Sequence, residues 1–186
     1  MPLPAILGLT LLGSELGLRI ARGSRSQSAR SEDRSTLTLL WVTITLAMWG
    51  AVLAARMLPA ATFTLSRVGQ YVALAVFCAG ISLRWWAVMT LGRFFTVDVA
   101  IHSDHRVVTA GPYRFVRHPS YTGLILLFTA QAVTFENVAS LAVALLPIFI
   151  ALGYRIHVEE RALDGALGAA YAEYRRTTKA LIPGVF

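Results

Sequence analysis

The sequence predicts an all-α polytopic membrane protein of about five transmembrane helices, with a short helical hairpin, a polar cytoplasmic loop and a C-terminal amphipathic helix. Three observations carry that prediction. The chain is 56% hydrophobic and only 15% charged, against about 25% charged in soluble domains. Its mean hydropathy is +0.61. Its basic residues gather in alternate connections between apolar runs. At 186 residues the chain reads as one integral membrane domain.

The apolar runs set the elements. Leu3–Ile20 comes first, interrupted by Ser14 and Glu15. It lacks the basic start and the small-residue cleavage site of a signal peptide, so it reads as a retained helix. Leu37–Leu58 is the strongest candidate, and Val68–Leu91 follows with Arg84 near its end. Tyr121–Phe135 and Val138–Tyr154 are shorter than the roughly 20 residues a span needs. Only Glu136 and Asn137 separate them, which predicts a tight hairpin. Gly23–Ser35, rich in Ser and Arg, reads as a loop, and Phe94–Ile101 as a short extended segment. After Tyr154, Leu163, Leu167, Tyr171 and Tyr174 recur at helical spacing and predict one continuous apolar face that Pro183 and Gly184 end. Cys78, the one cysteine, reads as a packing residue in an apolar helix, and it excludes an intrachain disulfide and a multi-cysteine metal site.

Orientation follows from the arginines, which make up 16 of the 17 basic residues. With five crossings, one side receives the clusters Arg19–Arg34, Arg93–Arg117 and Arg155–Lys179, 14 of the 17, while the other receives only Arg56 and Arg67. The first side is therefore cytoplasmic. The net charge of +7 is spread along membrane segments, so it predicts contact with anionic lipid headgroups and no nucleic-acid partner.

Two polar clusters fall on that side. Gly111–Gly123 (GPYRFVRHPSYTG) packs Arg114, Arg117 and His118 against the start of an apolar run. Tyr154–Arg161 (YRIHVEER) emerges from the next run. Charged groups beside a membrane helix are costly unless they serve a headgroup, a cofactor or a substrate. Arg155 and Glu159 lie four residues apart and share a helix face. In that order they form a poor surface pair, and their place at the end of an apolar run favours a functional role. Glu160 points about 100° away, toward solvent or a loop. His157 reads as a surface or packing residue. Pro119 suits the first turn of a helix, whose free amides attract anions. No Ser-His-Asp set, metal cluster or glycine-rich dinucleotide fingerprint is evident.

Taken together, DHRVV (Asp104–Val108), GPYRFVRHPSYTG, EERAL, YAEY (Tyr171–Tyr174) and LIPGVF (Leu181–Phe186) resemble the isoprenylcysteine carboxyl methyltransferase family in its small bacterial form. The resemblance runs from Leu91 to the C-terminus, about half of the chain. It implies a membrane enzyme, sited in a bacterial inner membrane with its active site toward the cytoplasm. The implied reaction moves a methyl group from S-adenosylmethionine to the carboxylate of a lipophilic acid. Residues 1–91 would supply N-terminal helices and residues 92–186 the catalytic core. The cofactor-binding positions it implies are His105, Arg106, Val107, Val108, Tyr113, His118, Pro119, Ser120, Tyr121 and Glu159, with a further upstream contact near Asp98. Arg155 would face the substrate. Family members often carry more acidic residues where His157 and Val158 stand, which leaves Glu160 open beside Glu159.

The chemistry suits these residues. A carboxylate attacking a sulfonium is already ionised and needs no general base. One arginine for the acceptor and one glutamate for the cofactor suffice, with positioning doing the rest. Phospholipid N-methyltransferases and sterol reductases share related folds, but Arg155 favours an anionic acceptor over an amine. A scaffold or channel would place polar residues inside the spans, whereas here they cluster at one face.

Overall fold

The computed structural model describes residues 2–21, 31–92 and 107–184, with side chains at all of these except 19 and 31–35. Among the described residues the chain forms α1 (Leu3–Ala21), α2 (Ser31–Met57), α3 (Arg67–Leu91), α4 (Pro119–Val133), α5 (Val138–Leu167) and α6 (Ala169–Thr177). Short 3-10 turns lie at Pro59–Ala61 and Gly111–Arg114. Thr36–Met57, Arg67–Leu91 and Val138–Leu167 are long and apolar enough to cross a membrane, by length and composition. The apolar part of α1, Leu3–Leu18, and the 15-residue α4 are shorter. At 1.5 Å per residue α4 reaches about 22 Å, against about 30 Å of hydrocarbon. Of the five helices expected to cross, three described helices are of spanning length and two are shorter.

The outward faces are apolar: Leu46, Trp49, Val68 and Ile150 are all exposed, as lipid contact requires. Inside, Leu40, Ile44, Phe77, Leu124, Phe128, Ile148 and Leu152 form the core. The most extensive helix pairings are α3 with α4 and α2 with α5. The first depends on close approach. A Cβ on Gly80 would lie 2.9 Å from the Gly123 carbonyl oxygen, and one on Gly123 2.9 Å from that of Gly80. In lipid, small residues let helix backbones gain contact that larger ones forbid.

One end of the bundle is closed by bonds to main chain. Asn137, buried in the α4–α5 turn, donates from Nδ2 to the Leu58 carbonyl (2.8 Å) and accepts from the Ser140 amide (3.0 Å), capping α5. Ser140 Oγ donates to the Ala51 carbonyl (2.7 Å). The Phe63 amide donates to the Glu136 carbonyl (2.9 Å), and Gln131 Nε2 to the Pro4 carbonyl (2.7 Å). The α2–α3 connection, the α4–α5 hairpin and the start of α1 therefore share this end. Toward the other end, the two polar interruptions of α1 find partners on α3. Trp85 Nε1 donates to Ser14 Oγ (2.8 Å), and Arg84 forks onto the carboxylate of Glu15, with Nη2–Oε2 at 2.7 Å.

Several expectations change. Residues 31–35, expected in a loop, already belong to α2. Cys78, expected as a packing residue, is exposed on α3. The chain stays helical past Tyr154, as expected, so the fifth apolar run is the first part of a 30-residue α5. The apolar face expected to run unbroken from Leu163 to Tyr174 is cut at Gly168, whose φ of 53° suits glycine. α6 ends at Thr177, before Pro183, because Thr178 Oγ1 donates to the Tyr174 carbonyl (2.6 Å) and the next residues pair with a loop. The extended segment expected at Phe94–Ile101 lies outside the described residues.

Candidate active site

The start of α4 and the middle of α5 build the site. Pro119 opens α4 with its φ already set. His118 precedes it and makes no side-chain cap bond to the helix, so its imidazole serves other groups. Although buried, it faces two carboxylates: Nε2 lies 3.1 Å from Glu160 Oε1 and Nδ1 3.9 Å from Glu159 Oε2. Its ring stacks on Tyr121, with centroids 5.6 Å apart and planes 18° from parallel.

Tyr121 is the hub. Its hydroxyl donates to Glu159 Oε2 (2.8 Å) and accepts from Arg155 Nε (3.3 Å). The predicted pair, Arg155 and Glu159, is thus coupled through a third group. Arg155 is only 3% exposed, so it is no surface charge. Its Nη1 donates to Thr36 Oγ1 on α2. Such partners satisfy the N–H donors of a buried guanidinium. The side chain of Glu159 stays 26% exposed, so its carboxylate remains open to a ligand.

Glu160 does not face solvent. It accepts from Arg117 Nε at 2.8 Å while it contacts His118, and Arg175 Nε lies 3.9 Å from its other oxygen. The adjacent glutamates therefore divide their work. Glu160 is engaged by the loop before α4, and among the described residues Glu159 has Tyr121 as its one short contact.

The segment after α6 holds that loop in place. The Arg117 and His118 amides donate to the carbonyls of Lys179 (2.8 Å) and Ala180 (2.9 Å). Thr122 Oγ1 donates to the Leu181 carbonyl (2.8 Å), and Arg117 Nη1 to that of Thr178. From α6 the Tyr174 hydroxyl donates to the Tyr113 carbonyl (2.5 Å). Burial pushes the Tyr174 hydroxyl up to about 12, so it keeps its proton and remains a donor at neutral pH. Burial raises Tyr113 as well, and the Glu159 carboxylate adds to the rise.

The sequence profile of the isoprenylcysteine carboxyl methyltransferase (ICMT) family matches residues 72–165, just over half of the chain. The chain belongs to that family. Protein-S-isoprenylcysteine O-methyltransferase of Schizosaccharomyces pombe is 34% identical over 118 residues, which cover 62% of this chain and 50% of that protein. The B form from Arabidopsis thaliana is 29% identical over 136 residues, covering 62% and 69%. Matches in rice cover 61% of each chain, so the chain spans about three-fifths of the length of those curated relatives. The solved eukaryotic intramembrane Ras methyltransferase ICMT shares the fold. It aligns with a TM-score of 0.59 at 24% identity, over 86% of this chain and 55% of that one.

Within this ICMT-family chain the structure gathers Arg155, Glu159, Tyr121 and His118 at one end of the bundle, with Pro119 beneath them and Tyr113 one loop away. Ser120 instead accepts from Arg84 Nη1 (2.7 Å). Val107 and Val108 are half-buried at the start of the loop. His105, Arg106 and Asp98 lie outside the described residues. Arg114 is exposed and sits 4.4 Å above the Phe115 ring, apart from the network, and His157 is exposed. Sequence reasoning missed Thr36, which lies just before the apolar run from Leu37, and the Arg84–Glu15 pair. It gave Tyr171 a place only on an apolar helix face. The Tyr171 hydroxyl is buried with no hydrogen-bond partner among the described residues. Burial, then the Glu160 carboxylate, push its ionisation upward.

Proposed function

We propose that the chain transfers a methyl group from S-adenosylmethionine to the carboxylate of an isoprenylcysteine-like or other lipophilic acid at the membrane surface, forming a methyl ester. The observation that carries this reading is the chain Arg155–Tyr121–Glu159: a buried guanidinium and an open carboxylate joined by one hydroxyl. When bound, S-adenosylmethionine supplies an electrophilic methyl group on a cationic sulfur. Glu159, His118, Pro119, Ser120, Tyr121, Tyr113, Val107 and Val108, with His105 and Arg106, would hold it. The open Glu159 carboxylate fits its positive charge, and the Tyr171 hydroxyl, without a partner among the described residues, offers a further donor. Arg155 grips the acceptor carboxylate by its guanidinium fork. That acceptor is ionised at neutral pH, so no residue need take a proton. Arg155 and Tyr121 fix its direction, and the surrounding apolar core keeps water from competing for it.

The same reading gives residues 92–186 the catalytic core, with Thr36 and Arg84 of residues 1–91 bracing it. The basic clusters support a cytoplasmic orientation of the site, and the reading assigns the chain to a bacterial inner membrane. The experiment is tritium transfer from methyl-labelled S-adenosylmethionine to an isoprenylcysteine analogue, using purified protein in nanodiscs. Base-labile label in the lipid fraction is the expected result. Label retained on an amine, or no transfer by protein that binds the cofactor, overturns the assignment.

A further inference from the structure

α5 presents a stripe that the candidate active site does not use. Leu146, Ile150, Gly153 and His157 follow one another at intervals of four, three and four residues, so they lie on one helix face. Leu146 is 62% and Ile150 73% exposed, as expected of side chains against lipid. The stripe then runs into a cleft of about 720 Å³ between α5, α6 and the segment after α6. Arg117, His157, Arg175, Arg176 and Lys179 line it, against Glu160 as the one carboxylate in the lining.

Pairing leaves a smaller excess, four Arg and Lys side chains against the three carboxylates Glu160, Asp164 and Glu173. Glu160 is shared between Arg117 and His118. Arg175 reaches Asp164, and Arg176 reaches Glu173 at 3.4 Å with both side chains well exposed. Lys179 makes no ion pair among the described residues. Gly153 leaves the wall open, since a Cβ built there meets nothing within 4 Å. The cleft also differs in kind from the Arg155 site. Arg155 points into the bundle toward Tyr121 and Thr36, whereas this stripe points out of it.

A cationic cleft at the top of an apolar, outward-facing stripe matches an amphipathic anion. We propose that it binds the phosphate-bearing headgroup of an anionic phospholipid, with an acyl chain lying along Leu146 and Ile150. The apolar approach through Gly153 selects a lipid over free phosphate. This assignment does not depend on the methyl-transfer reading.

Native mass spectrometry of the purified chain in neutral detergent tests it, with phosphatidylglycerol and phosphatidylcholine of the same acyl chains titrated in turn. Phosphatidylglycerol should be retained in preference to phosphatidylcholine. Arg176→Gln with Lys179→Gln should weaken phosphatidylglycerol about 30-fold, about fivefold for each charge removed near the surface. Gly153→Leu keeps every charge and should weaken the same lipid about tenfold by filling the wall. Both sets of changes fall at exposed or open positions, and an unchanged thermal melt shows that the fold persists. Equal retention of the two lipids, or unchanged phosphatidylglycerol binding in both variants, overturns the proposal. Displacement of phosphatidylglycerol by millimolar inorganic phosphate reassigns the cleft to a soluble oxyanion and overturns it too.

Discussion

At the hairpin end, Asn137 and Ser140 spend their polar atoms on the carbonyls of Leu58 and Ala51 and on the amide of Ser140. At the loop end, Arg155, Tyr121, Glu159, His118, Glu160 and Arg117 bond mainly to one another. Main-chain partners are fixed by the helices and cannot be traded. Side-chain partners can be exchanged for a ligand at modest cost, because each member keeps another neighbour. Burial alone therefore does not separate architecture from chemistry in this bundle: Asn137 and Arg155 are both almost wholly enclosed. The kind of partner separates them.

The largest effect tests a pair that sits near the site yet is structural in character. Arg84→Met leaves the Glu15 carboxylate buried without its counter-charge and should lower stability by about 3–5 kcal/mol, read as a fall in the detergent melting temperature. Joining it with Glu15→Leu should restore most of the loss. A double variant no more stable than the single one would show that the pair does more than balance charge.

Arg155→Ala should reduce methyl transfer about a hundredfold or more, equal to about 2.7 kcal/mol of transition-state stabilisation, while binding of S-adenosylmethionine persists by calorimetry. Arg155→Lys should rescue only in part, since an ammonium lacks the planar fork. Glu159→Ala should show the converse, with cofactor affinity falling first. Normal turnover in both variants would move this pair to the architectural class.

Asn137→Ala should cost about 1–3 kcal/mol of stability, since it leaves the Leu58 carbonyl and the Ser140 amide unpaired. Activity per folded molecule should not change. A loss of turnover at an unchanged melting temperature would erase the contrast between the two ends. Tyr174→Phe, which removes one donor to the loop carbonyl of Tyr113, should cost about 1 kcal/mol in a thermal scan. It sharpens the comparison, because it is a main-chain tie placed at the chemical end.

Much of this was legible in the sequence for an energetic reason. Charge next to a membrane-length apolar run is expensive, so GPYRFVRHPSYTG and YRIHVEER stood out without any partner in view. The four-residue step from Arg155 to Glu159 put them on one face, and a two-residue gap announced the hairpin at Asn137. What stayed hidden involves contacts across long stretches of chain. Thr36 meets Arg155 across 119 positions and Glu15 meets Arg84 across 69. Neither has local periodicity to reveal it, so Glu15 read as a flaw in a helix. The break at Gly168 was missed because spacing from Leu163 to Tyr174 continues as if no turn intervened. The early end of α6 was missed because Thr178 stops the helix, and no proline is needed.

The tie between the loop before α4 and residues 179–181 has a consequence for how the protein is made. During synthesis the apolar helices emerge and can enter the bilayer in turn, α4 and α5 included. Arg117 and His118 still lack their main-chain partners at that stage, because Lys179 and Ala180 have not yet left the ribosome. The helical bundle therefore precedes the finished pocket. A chain truncated within α6 would lack the carbonyls that fasten the Arg117 and His118 amides, and its loop would stay untied.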